Sequence, residues 1–169
     1  MVLHAFVDES VASTYIVAVA LVPADRVADG RKALRALLQG GQKRLHFSQE
    51  GDRRRPEIMT VIERLGAEHR VYTTKNVREA RVLCLERLVP DLVAAGVRRL
   101  VIERDDSLVT AERRLLFQLC RDLEPELTYT HLRAKEDLLL CLPDAVAWCW
   151  ARGGGWRARV AAYTSEIAL

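Results

Sequence analysis

Residues His4–Ser10 read HAFVDES. With Leu3 in front, this is an apolar run, broken by one histidine, that passes straight into Asp8 and Glu9. A short run of strand formers ending in a polar turn predicts a strand buried on both faces, the position of a central strand. Two carboxylates are then held close to the core. A charge there is costly unless something positive comes to it, so the stretch points to a metal ion. The plain alternative is a strand followed by an acidic turn.

Working outward, Thr14 to Val22 (TYIVAVALV) is rich in β-branched residues and too short for a typical helix. Only Val11 to Ser13 separate it from DES, so a hairpin returning antiparallel is the simplest connection. Ala24 to Gln39 predicts a helix with Val27, Leu34, Leu37 and Leu38 on one side, Asp25 as its cap, and Gly40 and Gly41 as its stop. Arg44 to Ser48 predicts a short strand carrying His46. Ile58, Val61, Ile62 and Leu65 keep helical spacing up to Gly66, and Arg70 to Thr74 predicts a third main strand. From there the chain alternates: helix Val77 to Ala95, strand Val97 to Glu103, helix Ala111 to Leu123, strand Leu127 to Leu132, and a helix from Asp137 to Ala151 broken or begun near Pro143. Alternation of this kind implies parallel strands covered by helices.

The expected architecture is therefore a single α/β domain over 1–169: a mixed five-stranded sheet flanked by helices, with a helical insertion (24–66) and a C-terminal extension (153–169). The first two strands and the Arg70 strand form an antiparallel meander. The Val97 and Leu127 strands add in parallel beside the first, which then sits at the centre.

Composition agrees with one well-filled core: half of the 169 residues are apolar, and 26 basic residues stand against 23 acidic ones, a net charge of +3. That balance neither demands nor forbids a nucleic-acid partner. The longest apolar run, Tyr15 to Val22, is too short to span a bilayer, and no N-terminal segment has the pattern of a secretory signal. Cys84, Cys120, Cys141 and Cys149 lack C-x-x-C spacing and lie in apolar, helix-like stretches. On one helix Cys141 and Cys149 would stand roughly 12 Å apart along the axis, beyond disulfide reach. Reduced, buried thiols in a cytoplasmic protein are the expectation.

In the predicted sheet the Val97 strand runs beside the first, about 4.8 Å away. One ends in Asp8 and Glu9, the other in Glu103, with Asp105 and Asp106 beyond. Carboxylates that close repel unless a cation neutralises them, and oxygen-only ligands select a hard ion, Mg²⁺ or Mn²⁺. Glu103 directly ends the apolar strand, whereas Asp105 and Asp106 suit the cap of the next helix. A third acid, Asp144, sits among apolar residues in KEDLLLCLPDAVAWCW. A carboxylate in so apolar a helix needs compensation, although an acid in a first turn behind Pro143 would also be favoured by the helix dipole. Asp137 lies seven residues earlier and would share its face on a continuous helix.

These residues resemble the family called domain of unknown function 3800, which has a ribonuclease H-like fold. FVDES matches its opening strand, LHF supplies its His at His46, and LLLCLPDAVAW resembles its closing helix with Asp144 in the Asp position; Val11 and Pro143 depart from the usual Gly and Ala. The resemblance implies a ribonuclease H-like core, with Asp8, an acid at the end of the fourth main strand, and Asp144 as metal ligands. It implies phosphodiester hydrolysis by two metal ions, one activating water and the other stabilising the leaving oxygen. Glu103 takes the second position from its place at the strand end, Glu9 completes the expected ligand set, and Glu79 or Glu86 are candidates for a further ligand.

The insertion adds His46 as a proton-transfer group or auxiliary ligand and Arg53, Arg54 and Arg55, with Lys43, as a phosphate clamp, extended by Arg44 and Arg104. The plain alternative is a packed histidine and a solvated helix start. Trp148 and Trp150 are expected in the core, and Trp156 as a surface contact for a base. The leading expectation is a nuclease with an RNA or DNA partner and no membrane; the alternative is a nucleic-acid or protein-binding module on the same fold. A PIN-type nuclease also begins with a strand ending in Asp, but its first strand should lead into a helix, not into TYIVAVALV.

Overall fold

The computed structural model describes all 169 residues. Six strands form one mixed sheet: β1 (Leu3–Val11), β2 (Thr14–Pro23), β3 (Glu68–Lys75), β4 (Val97–Glu103), β5 (Thr128–Leu132) and β6 (Thr164–Ala168), in the order β5-β4-β1-β2-β3-β6. The hairpin of β1 and β2 is antiparallel from Leu3↔Pro23 to Val11↔Tyr15, and β3 continues the meander. The β4 strand lies parallel to β1, and β5 parallel to β4. The opening strand is central, as its sequence predicts, with Ala5, Phe6 and Val7 at 0, 0 and 3% exposure.

Six helices cover the sheet: α1 (Val27–Arg35), α2 (Arg54–Leu65), α3 (Ala80–Ala94), α4 (Val109–Cys120), α5 (Cys141–Arg152) and α6 (Gly154–Ala161). Strand alternation sends Phe6, Ala18, Ala20, Val71 and Val101 into one core layer with residues of α1, α2 and α5. Ala5, Val7, Val17, Val19, Leu100 and Ile102 go into the other, with residues of α3 and α4. Burying one such Leu or Ile contributes about 1.5–3 kcal/mol, so both layers are needed to hold the sheet. No helix is long and apolar enough to cross a membrane. All four cysteines are free and buried, and burial pushes the Cys84 thiol up to about 11 and Cys149 up to about 12.

Four expectations are corrected. The sheet has six strands, not five, because the tail after the glycines returns as β6 and pairs in parallel with β3 from His69↔Thr164 to Thr73↔Ala168. Only Ile167 of β6 packs against the core, so its sequence shows no alternation to read. Arg44–Ser48 is not a strand; it is an extended link into a single 3-10 turn at Phe47–Gln49 and pairs with no strand of the sheet. The first helix of the insertion ends at Arg35 with no side-chain cap from Asp25. Trp156 packs edge-on against Phe47 (5.8 Å) and Trp148 (5.4 Å), an apolar anchor for α6 and not a free surface ring.

His69 on β3 is 2% exposed, and burial, opposed only in part by the backbone at Ala67, pushes its ring down to about 4. The unfolded chain takes a proton near pH 6.5 and the folded chain resists it, so stability falls as pH drops from about 6.5 towards 4. The loss should reach about 3 kcal/mol at the acid end. Urea unfolding between pH 7 and 4.5 should show this slope, and His69→Phe should flatten it.

Candidate active site

The site begins with the register of β1 and β4. Phe6 lies opposite Val101 and Val7 opposite Ile102, so the next residues, Asp8 and Glu103, are neighbours at the carboxyl ends of two parallel strands. Both share the parity of Phe6 and Val101 and therefore the face covered by α5. Ligand sites of open α/β sheets commonly lie outside such strand ends.

Asp144 reaches the same place from the first turn of α5. Pro143 sits in that turn, where its missing N–H is not needed, so the helix begins at Cys141 and is not kinked. An acid there is favoured by the helix dipole. One oxygen, Oδ2, accepts the Phe47 backbone N–H at 2.8 Å and stands 3.5 Å from His46 Nδ1. His46 Nε2 is 3.0 Å from Ser48 Oγ. The hydrogen bond with Asp144, opposed by partial burial and helped by the Asp144 charge, raises the His46 ring above its ordinary value.

The charges of Glu103 and Asp144 both act on Asp8 at this end of the sheet. Burial pushes the Asp8 carboxyl well above the usual carboxylate range, followed by its hydrogen bond and charge interaction with Glu103 and then the charge of Asp144. No lysine or arginine pairs with Asp8, Glu103 or Asp144; His46 is the one basic partner. The donor set, oxygen from three carboxylates with one nearby imidazole, suits a hard divalent ion in chemistry. In the side-chain arrangement of the structure, no three His, Cys, Asp or Glu groups stand at metal-holding spacing.

Other expected site residues lie elsewhere. Glu9 follows Asp8 on the strand and so points to the opposite face, where it accepts from Tyr15 Oη and pairs with Arg81 of α3. Arg81 also pairs with buried Glu112 and lies 3.3 Å from Tyr15 Oη, and Glu112 accepts from His131 Nε2 at 2.9 Å. Burial opposes the Glu112 charge, yet the hydrogen bonds of His131 and Arg81 bring its carboxyl below the usual range. Glu9 is thus paired with a guanidinium on the face away from Asp8. Glu79 and Glu86 are exposed on the α3 side.

The arginine run is also redirected. Arg54 donates to Leu37 O at 2.6 Å, and its guanidinium lies near Glu50 and Glu57. Arg55 donates to Phe47 O and Ser48 O and covers the Trp148 ring at 4.6 Å. Arg55 thus locks the 3-10 turn that follows His46, while Arg54 ties the start of α2 to Leu37 and Glu50; Arg53 and Lys43 are exposed. Asp137 pairs with Arg31 at 2.6 Å and accepts from Leu139 N. Asp105 accepts from Ser107 N at 2.8 Å, ordering the turn before α4.

Sequence reasoning missed Arg81, Glu112 and His131. Each looks like an ordinary surface residue or strand residue until the sheet is assembled. A cleft of about 450 Å³ at the strand ends is lined by Asp8, Glu103 and Arg104, by Glu9 and Arg81, and by an apolar floor including Val7 and Ile102.

The sequence matches no protein-family model and no curated protein. The fold is similar to that of a chain in the structure of the PCNA:RNase HII complex from Archaeoglobus fulgidus, with TM-score 0.57 and 13% identity over 86% of this chain and 71% of that one. It is likewise similar to the ribonuclease H2 from Pyrococcus horikoshii OT3, with TM-score 0.53 and 14% identity over 86% of this chain and 70% of that one. The chain therefore has an α/β fold of the kind found in ribonuclease HII.

Two substitutions should move stability in opposite directions. Asp8→Asn removes a charge whose folded-state pKa is raised, a group that weakens the fold when ionised, so at pH 7 without added metal it should raise the Tm. Arg81→Leu leaves Glu112 buried against one histidine and should destabilise by about 3 kcal/mol or more. Thermal unfolding followed by circular dichroism checks both.

Proposed function

We propose that this protein is a divalent-metal-dependent nuclease that hydrolyses phosphodiester bonds in RNA or DNA, with Asp8, Glu103 and Asp144 as the metal-binding acids. The observation that carries the reading is the convergence of three carboxylates from β1, β4 and α5 with no lysine or arginine partner. The fold likeness to ribonuclease HII structures supports it. So does the resemblance of FVDES, His46 and LLLCLPDAVAW to the domain of unknown function 3800 family.

When bound, Mg²⁺ or Mn²⁺ supplies an activated water and charge neutralisation at the leaving oxygen. The protein's own groups do the positioning. Asp8 and Glu103 stand on rigid strand ends, fixed by the β1–β4 register. Asp144 is oriented by the Phe47 N–H, which leaves its second oxygen available for a ligand. His46, raised by Asp144 and held by Ser48, carries the proton for the departing oxygen.

Labelled oligonucleotides with Mn²⁺ or Mg²⁺ test this. Asp8→Asn and Asp144→Asn should each lower cleavage at least ~100-fold while the domain stays folded, and EDTA should abolish it. Mn²⁺ should raise the Tm of the unaltered protein and leave that of Asp8→Asn unmoved. Binding without cleavage, indifferent to EDTA and to Asp8→Asn, would instead mark a non-catalytic binding module.

A further inference from the structure

Glu103 is also part of the wall of a second cleft, of about 250 Å³, whose other lining residues are Arg44, Arg104, Arg133, Ala134 and Lys135. A third, of about 420 Å³, shares Arg44 and adds Lys43, His46, Glu50 and Arg54. The two clefts adjoin at their shared Arg44 and are taken together as one groove, with Glu103 in the wall of one part and His46 in the wall of the other. Six cations line it against two acids.

The fold explains how they are gathered. Glu103 pairs with Leu132 in the β4–β5 ladder, so Arg104 and Arg133 emerge side by side just past the strand ends. Asp106 bridges them, at 2.7 Å to Arg104 Nε and 2.8 Å to Arg133 Nη2, which holds the pair in place and takes up part of their charge. Lys43, Arg44 and Lys135 are exposed and have no carboxylate partner. Exposed cations left unpaired along a concave path are held together against their own repulsion, and a chain of phosphates relieves it.

We propose that this groove, from Lys135 past Glu103 to Arg44 and Lys43, is the track for the phosphodiester backbone of a nucleic-acid strand. Arg44 and Lys135 are its main phosphate contacts, in place of the Arg53–Arg55 run, two of whose members are spent on internal bonds. This rests on the nuclease reading and adds to it the path that brings a phosphate to Glu103. The strand is recognised by charge along its backbone, so base sequence matters little.

The test is fluorescence anisotropy with end-labelled RNA and DNA strands of about 20 nucleotides in EDTA, so that no cleavage is needed. The double variant Arg44→Gln/Lys135→Gln should weaken binding about tenfold and lower the slope of log K against log salt by about 1.4. The same charge change on exposed α4, Arg113→Gln/Arg114→Gln, should leave both unchanged. The RNA and DNA arms decide which strand is preferred. Equal losses in the two double variants, no binding at about 50 mM salt, or displacement by polyglutamate as readily as by unlabelled strand would overturn the proposal. Arg44-dependent binding without any cleavage would refute the nuclease reading alone, and cleavage with binding unchanged in the double variant would refute the track alone.

Discussion

A strand can send consecutive side chains only to opposite faces, and at the end of β1 that rule divides two adjacent acids. Asp8 goes to the α5 side, beside Glu103 and Asp144, where no guanidinium or ammonium answers it. Glu9 goes to the α3–α4 side and is neutralised by Arg81 and Tyr15. One dipeptide thus supplies a destabilising charge on one face and a stabilising one on the other. A slip of a single residue in the β1–β4 register would exchange the two and dismantle both.

The paired face makes the unpaired face tolerable. Arg81, Glu112, His131, Glu9 and Tyr15 tie α3, α4, β5, β1 and β2 together directly behind the strand ends that carry Asp8 and Glu103. The opposite side is held by apolar contact: Phe47, Trp148 and Trp156 stack edge to face, with Arg55 over Trp148 and bonded to the turn that bears His46. The acids therefore stand on elements fixed from both sides, the condition under which mutual repulsion can persist instead of relaxing into solvent.

The same logic separates the arginines. Arg54 and Arg55 build the insertion, whereas Arg104 and Arg133, far apart in the chain, meet because β4 and β5 end together. Contiguity in sequence marks the cations that share one local turn. Proximity around Glu103 depends on strand register.

Much of this was legible beforehand, for physical reasons that are local. An apolar run into DES, broken only by His4, points to a central strand, three intervening residues point to a hairpin, and the later alternation of periods two and 3.6 points to helices over parallel strands. Asp8, Glu103 and Asp144 could be singled out because each carries charge into apolar surroundings. What the tertiary structure alone decided was pairing. The face that Glu9 takes, the guanidinium that meets it, the edge that β6 fills and the cations gathered beside Glu103 all follow from which strands lie side by side and in what register. That information is carried by long-range hydrogen bonds and shared core layers, and no single stretch of the chain contains it.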